Sequence, residues 1–375
     1  MQLRFLLLLL PLFLTTPLFA SSNFCIEQQN PKPIFCQDFE HRDTGLYTSD
    51  KLIEDWPNLQ SLSTKVYVSN FGVSQQRVTI VAKETAKETE KTRPQHNRML
   101  KIKYPENLFG SAHSGATWVM KFPKKYQQLS LEYKVMFEQG FLYNREGLFG
   151  GKLPGLMGGE TISGGATADG TNGWTSRIMW GQMGRGLGYL YYPDMRDVKY
   201  NQKACPRFGL ESEDCVIFRN KYFTFDNDSS KKCLSEWAAD DYEFRFETGR
   251  SYKIKQLIKM NTLSNDTAEG SDNTAEDSND TAEGSDNSAE GSNNNAEGSE
   301  KSTDEVAQGN RDGQLKIWLD DKLVVDCTNI RFRDVPELAI DSLLFSTFFG
   351  GNTAESSSHP HDETIYFDDF VVREN

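Results

Sequence analysis

Alternation of apolar and polar side chains runs through much of the chain and predicts β-strands. Leu131, Tyr133 and Val135 alternate with polar residues, which is the period-two pattern of a strand with one buried face. Shorter apolar or β-branched runs with the same signal lie at residues 100–104, 252–260, 315–319, 323–326, 343–348 and 365–372. Turn signals separate them at Asp312-Gly313, Asp320-Asp321 and Gly350-Gly351-Asn352. Since helical periodicity is confined to short pieces, we expect an all-β fold, an antiparallel jelly roll or sandwich.

An acidic seven-residue repeat interrupts this pattern. From Ser264 the units read SNDTAEG, SDNTAED, SNDTAEG, SDNSAEG and SNNNAEG. Seven is the coiled-coil period, but the units contain no apolar residue larger than Ala and carry Gly repeatedly, which excludes a coiled coil. We expect residues 264–310 to be a disordered insertion in a hairpin loop, and residues 21–263 and 311–375 to form a single domain, because a long loop costs little closure entropy.

The repeat also explains the net charge of −13. Residues 264–310 hold 13 acidic residues and one Lys, so the rest of the chain has 41 acidic and 40 basic residues. The folded part is therefore nearly neutral, and basic groups can dominate a local cleft. We expect a monomer, with neither nucleic acid nor a membrane as a partner.

The N-terminus predicts secretion. Arg4 is followed by an almost wholly apolar run and then by Ala20, the layout of a signal peptide spanning residues 1–20. The apolar run is too short for a comfortable membrane span, and no later segment is long enough either. We expect a secreted, extracellular protein.

In an oxidising compartment the even set of six cysteines indicates disulfides. Loop closure favours a Cys25–Cys36 bridge and a second bridge within residues 205–233, although the full connectivity stays open. No pair has CxxC spacing with a His nearby, which argues against a zinc site. The six cysteines are Cys25, Cys36, Cys205, Cys215, Cys233 and Cys327. Sequons mark three candidate glycosylation sites, at Asn227, Asn265 and Asn279.

The strongest candidate chemistry lies between residues 147 and 192. Lys152 follows a Gly pair, and because Leu153 comes next the string is not a phosphate-binding loop, which needs Ser or Thr there. We expect Lys152 on a glycine-rich surface loop. Tyr189 and Tyr191 are two residues apart and so share one face of a strand. If that strand pairs with the strand of Arg177, the guanidinium reaches the same face.

Two cations and two phenols fit β-elimination from a uronate polymer. The cations neutralise the C6 carboxylate, a base removes the C5 proton and an acid protonates the leaving O4. Tyr serves in both roles if Lys⁺ and Arg⁺ lower its pKa from the usual value of about 10. A Tyr-x-Tyr pair is also typical of a cross-strand packing ladder, and Arg177 is also compatible with a structural ion pair, so these interpretations stay open.

Taken together these strings resemble polysaccharide lyase family 14, a family of alginate and glucuronan lyases. The resemblance rests on GGKLPGLMGG at 150–159, on GWTSRIMW at 173–180 and on the Tyr-x-Tyr strand, with further strings at 312–320, 346–351 and 366–370. It implies a β-jelly roll whose concave sheet forms an open cleft, a catalytic set of Lys, Ser, Arg and two Tyr, and no metal or organic cofactor.

By the same resemblance the catalytic set falls on Lys152, Arg177, Tyr189 and Tyr191, with Thr175 at the position of the Ser. Thr keeps the hydroxyl but adds a methyl group. Met157 stands where relatives often carry an aromatic residue, which bears on subsite preference. The implied activity is cleavage of 1,4-linked uronate polymers by β-elimination. The implied partner is an anionic polysaccharide, either alginate that is rich in mannuronate or glucuronan.

Two other classes of function are found on similar folds. A glycoside hydrolase needs two suitably placed carboxylates, and the closest string, residues 236–243, has the wrong spacing for one strand face. A non-catalytic carbohydrate-binding protein on the same jelly roll also remains an alternative, because fold does not imply function. Formation of an ultraviolet-absorbing unsaturated uronate distinguishes a lyase from both.

Overall fold

The computed structural model describes residues 24–28, 31–59, 71–82, 98–143, 150–164, 166–196, 222–224, 244–264, 307–350 and 359–375. Their strands are β1 Phe35–Gln37, β2 Gly45–Leu46, β3 Val78–Ala82, β4 Arg98–Tyr104, β5 Ala116–Tyr126, β6 Gln128–Phe137, β7 Gly151–Gly159, β8 Gly173–Trp180, β9 Gly186–Tyr191, β10 Tyr222–Thr224, β11 Ser251–Lys259, β12 Gly313–Leu319, β13 Lys322–Ile330, β14 Ile340–Phe349 and β15 Glu363–Glu374. The helices are α1 Phe24–Glu27 and α2 Ser49–Asp55, with short 3₁₀ turns at Gln182–Gly184 and Pro193–Arg196. Every strand predicted from alternation is present, as β4, β6 and β11 to β15.

These strands form two antiparallel sheets that pack face to face. The larger sheet has the order β13-β12-β11-β6-β15-β4-β3-β2, with β1 pairing with β15. The smaller sheet has the order β10-β9-β8-β7-β14-β5. The predicted all-β antiparallel jelly roll is confirmed.

The acidic repeat lies between two neighbouring strands of the larger sheet. β11 and β12 pair antiparallel, with Ile258 opposite Leu315. Beyond the paired residues the Ser264 hydroxyl donates to the Gln308 carbonyl at 2.6 Å. Residues 265–306, which hold most of the repeat, lie outside the described residues, so the predicted disorder stays a prediction.

An aromatic core joins the two sheets. Trp118 of the smaller sheet stacks on Phe345 with ring centres 3.8 Å apart, and Trp56 packs against both rings. Tyr133 of the larger sheet donates its hydroxyl to the Pro154 carbonyl of β7 at 3.1 Å. Aromatic rings bury large apolar areas, so this core fixes β7 and its neighbours against the larger sheet.

The predicted Cys25–Cys36 disulfide is present, with Cα atoms 5.7 Å apart, and Cys327 is disulfide-bonded as well. In the parts of the chain that are described, no helix has the length and apolar character needed to cross a bilayer. Several predictions fall outside those parts: the signal peptide at residues 1–20, the cysteines Cys205, Cys215 and Cys233, and the sequons at Asn227, Asn265 and Asn279.

Candidate active site

The glycine-rich motif around Lys152 forms strand β7, and the predicted surface loop is wrong. β7 lies between β14 and β8 in the smaller sheet. A Cβ atom on Gly151 would lie 1.9 Å from the Trp180 ring, and one on Gly155 would lie 1.9 Å from the Ser176 carbonyl oxygen. Glycine at these positions lets β7 and β8 approach closely. Because β7 is buried on both faces, it shows no alternation by which the sequence could have revealed it.

Strand β8 presents its two faces to different parts of the molecule. Ile178 and Trp180 point into the core between the sheets, so Arg177 and Met179 point to the other side of the smaller sheet. β8 pairs antiparallel with β9, which places Arg177 directly opposite Tyr189 and Thr175 opposite Tyr191. The strand pairing on which the sequence interpretation depends is therefore present.

A buried hydrogen-bond bridge fixes β7 and β8 from below. The Gln256 side chain of β11 donates to the Ser176 hydroxyl at 2.8 Å and accepts from the Leu156 amide at 3.2 Å. Gln256 is only 1% exposed. A buried polar network whose hydrogen bonds are all formed favours one arrangement. This bridge therefore fixes the position of β7 and β8 relative to the larger sheet.

Lys152, Arg177 and the two tyrosines meet in one cluster. The Lys152 Nζ atom lies 4.4 Å from the centre of the Tyr189 ring, and the Arg177 Cζ atom lies 5.1 Å from the same centre. The hydroxyl oxygens of Tyr189 and Tyr191 are 2.8 Å apart and share a hydrogen bond, with their rings nearly perpendicular. Lys152 Nζ also lies 3.3 Å from the Met179 sulfur. Two cations and two phenols are thus within reach of one small ligand group.

The cluster is closed, whereas the family resemblance implies an open cleft. Lys152 is 6% exposed and Arg177 3%, and the phenols are 5% and 1% exposed. The rings are buried in a small cluster of their own, separate from the core between the sheets, together with Ile162, Ala168, Met179, Leu187 and Met195. Shielding from water strengthens charge interactions inside such a site. Among the described residues, no group of three or more His, Cys, Asp and Glu side chains could hold a metal ion.

In the part of the chain that the structure describes, no anion pairs with Arg177 as a structural role would require. The Arg177 Nε–H group is buried and has no hydrogen-bond partner, and no carboxylate pairs with this guanidinium among the described residues. A buried cation without a counter-charge lowers stability, and a buried donor left unpaired in a folded protein calls for a functional explanation. The arrangement argues against the structural ion pair and is compatible with a cation that binds the carboxylate of a ligand.

Thr175 contributes a hydroxyl that is already engaged. It is fully buried and donates to the Ile162 carbonyl at 2.8 Å. Because Ile162 packs in the same cluster as the tyrosines, this bond ties the segment after β7 to the site. In this structure the Thr175 proton therefore serves the backbone.

Two residues beside the site could not be inferred from sequence. A Cβ atom on Gly350 would lie 3.1 Å from Lys152 Nζ, so the glycine pair that reads as a turn signal also makes room for the ammonium group. Asp194, just beyond β9, is buried and accepts from Arg311 Nε at 2.8 Å and from Arg331 Nε at 2.9 Å. It fixes the turn that carries Met195 to the tyrosines. Both contacts join residues more than a hundred positions apart.

Comparison with known proteins agrees with this architecture. The family model for Polysaccharide lyase 14 matches residues 92–293 and 302–370. No curated protein matches the sequence. The alginate lyase Aly36B is similar in structure, with 19% identity, a TM-score of 0.54, and coverage of 91% of this chain and 96% of that chain. The marine PL-14 alginate lyase from Aplysia kurodai has 16% identity, a TM-score of 0.54, and coverage of 92% and 100%.

A variant of Aly36B solved in complex with an alginate trisaccharide has 19% identity, a TM-score of 0.56, and coverage of 91% of this chain and 98% of that chain. At these identities the solved structures establish a shared fold alone. The family model, in contrast, covers well over half of the sequence, including β7, β8 and β9. This chain therefore belongs to polysaccharide lyase family 14.

Proposed function

We propose that this lyase cleaves 1,4-linked uronate polymers, alginate or glucuronan, by β-elimination at the cluster of Lys152, Arg177, Tyr189 and Tyr191. The observation that carries the proposal is the buried Arg177 guanidinium, which has no carboxylate partner among the described residues, beside a second cation and two phenols. An enzyme that acts on a uronate needs cations for the C6 carboxylate next to groups that move protons.

In this reaction the carboxylate of the sugar binds Arg177 and Lys152. Their positive charge stabilises the negative charge that develops when a phenolate of the tyrosine pair removes the C5 proton. The electron pair of the C5–H bond forms the C4=C5 double bond, the C4–O4 bond breaks, and O4 takes a proton from the other phenol.

The hydrogen bond between the two hydroxyl groups completes the cycle. After elimination one tyrosine has gained a proton and the other has lost one. Because the hydroxyl oxygens are 2.8 Å apart, a single transfer between them restores the starting state without exchange with solvent. Which of Tyr189 and Tyr191 acts as the base is left to the kinetic test of each variant.

The test is a substrate panel of polymannuronate, polyguluronate and glucuronan, followed by ultraviolet absorbance and by sizing of the products. A lyase produces the unsaturated uronate chromophore, and each new non-reducing end carries one. New reducing ends without the chromophore would identify a hydrolase, and binding without new ends would identify a non-catalytic carbohydrate-binding protein. Either result overturns the proposal, whereas the polymer that is cut fastest names the substrate.

We also propose that the protein is secreted after removal of residues 1–20 and acts outside the cell as a monomer. The Cys25–Cys36 disulfide supports this location, because such bonds form and persist in oxidising compartments. Mass spectrometry of the secreted protein tests the cleavage site and the occupancy of Asn227, Asn265 and Asn279 in one measurement.

A further inference from the structure

A half-buried tryptophan lies among lysines on the outward face of the larger sheet. Of the five tryptophans in the described residues, four are fully buried, whereas Trp318 of β12 is half-buried and faces away from the core. Leu315, Ile317 and Leu319 of the same strand fill the core instead. A large ring on a solvent-facing strand position is unusual, because Trp is highly buried on average.

Lysines lie along this face on β11 and β12. On β11 the outward positions include Lys253, Lys255, Leu257 and Lys259, because the residues that alternate with them are buried. Lys255 lies opposite Trp318 across the two strands, with its Nζ atom 5.5 Å from the ring centre. Lys316 extends the row on β12. We call Trp318 and these four lysines the β11–β12 outer face.

Part of this positive charge is not balanced by neighbouring acids. Lys253 pairs with Asp321, and Lys316 lies 3.5 Å from Asp326. Lys255 and Lys259 take part in none of the ion pairs formed among the described residues, although Glu132 is the strand partner of Lys255. Lys255 therefore lies beside the aromatic ring without an ion-pair partner among the described residues, and Lys259 adds a second such charge further along β11, opposite Gln314.

From this juxtaposition we infer that the β11–β12 outer face is a second, non-catalytic binding site for an anionic polysaccharide. The ring offers a flat apolar surface for the face of a sugar, and the row of lysines complements the repeated carboxylates of a polyuronate. The choice of a uronate as ligand rests on the proposed function, while the site itself rests on the placement of the ring and the lysines.

The two sites lie on opposite sides of the molecule. The cluster that contains Tyr189 and Tyr191 lies on the side of the smaller sheet that faces away from the core. The β11–β12 outer face lies on the side of the larger sheet that faces away from the core. A residue of one site therefore cannot contact a sugar unit bound at the other. What the second site supplies is retention on a long or insoluble polymer, which raises the local concentration of cleavable bonds.

The experiment measures migration of the full chain in native gels that contain alginate or glucuronan, in a Tyr191→Phe background so that the polymer stays intact. We expect Trp318→Ala to weaken retention about tenfold, and the pair Lys255→Gln with Lys259→Gln to weaken it similarly and to reduce its dependence on salt. The matched control is the pair Lys124→Gln with Lys125→Gln on the smaller sheet, which removes the same charge and should leave retention unchanged.

Three outcomes would overturn the inference. If the Trp318→Ala variant is retained as strongly as its Tyr191→Phe parent, the ring does not bind the polymer. If both lysine pairs cause equal losses, the retention depends on net charge alone. Equal binding of polyglutamate would show that no sugar is recognised. Activity on short uronate oligomers, measured with the Tyr191 side chain intact, should be the same with and without these substitutions. If the protein with Tyr191 intact forms no chromophore but the polymer still retains the chain, the proposed function is rejected while the second binding site is supported.

Discussion

Replacing Tyr191 by Phe removes one oxygen atom from the candidate site and separates its chemical role from its packing role. Loss of a general acid or base lowers the rate by about 10²–10⁴, which is about 3–5 kcal/mol of activation free energy. The same hydroxyl shares a hydrogen bond with Tyr189, and a typical intramolecular bond contributes only about 1 kcal/mol to stability. A domain stable by about 5 kcal/mol would keep more than about 99% of its chains folded after that loss. Partial unfolding therefore cannot account for the expected fall in rate.

The assay is the initial rate of chromophore formation on alginate and glucuronan, with thermal unfolding recorded on the same samples. Tyr366→Phe is the matched control, because the Tyr366 hydroxyl donates to Glu138 at 2.7 Å on the larger sheet, away from the cluster. We expect the control to lose a similar amount of stability and to keep its rate. A Tyr191→Phe enzyme that works within about threefold of wild type would refute a proton-transfer role for this residue, given the magnitude above.

Four further predictions follow from particular contacts. Lys152→Met keeps the length of the side chain but removes its charge, and should lower the rate by about 10²–10³; an unchanged rate would exclude carboxylate neutralisation by this residue. Asp194→Asn removes the anion between two arginines and should lower the free energy of unfolding by about 3–5 kcal/mol in a denaturant titration, whereas a loss below about 1 kcal/mol would contradict the clamp. Burial and then the charge of Asp369 raise the pKa of Asp368, so its carboxyl group costs stability as the pH rises from its unfolded value through the raised one. Asp368→Asn should therefore raise the melting temperature at pH 7 and not at pH 3, and an effect that is the same at both pH values would refute this origin. Replacing residues 265–306 by a short glycine linker should leave both rate and melting temperature nearly unchanged, because the Ser264–Gln308 contact already brings the two ends together; a large loss of either would make the repeat part of the site.

Alternation was sufficient to predict the parts of the fold in which one strand face is buried and the other is not. Lys253 and Lys255 of β11 alternate with core residues, and so do Lys316 and Trp318 of β12, so these strands and the turn at Asp320-Asp321 could be predicted. Both turn residues have positive φ, 47° and 66°, as a tight two-residue hairpin requires. The shared face of Tyr189 and Tyr191 follows from the same period of two.

The strand pairing and the burial of the site could not be read in this way. All residues of β8 and β9 are buried, so their apolar pattern does not say which strand lies beside which. Motif resemblance brought Lys152 and Arg177 into the candidate site, whereas alternation alone would have left β7 as a loop. The contact of Gly350 with Lys152, and the clamp on Asp194, depend on tertiary packing between distant segments, for which local sequence carries no signal.

The alternation along β8 has a consequence for how this enzyme can diverge. Alternate residues of β8 have different roles. Trp180 and Ile178 pack in the core between the sheets, while Met179 and Arg177 face the candidate site. Inserting or deleting a single residue there would exchange the two sets, bringing a guanidinium into the hydrophobic interior and an indole among the reacting groups. A shift of register in this strand therefore disrupts the core and the candidate site at the same time. Changes that alter substrate preference without loss of the fold are expected in the segments that border the strand.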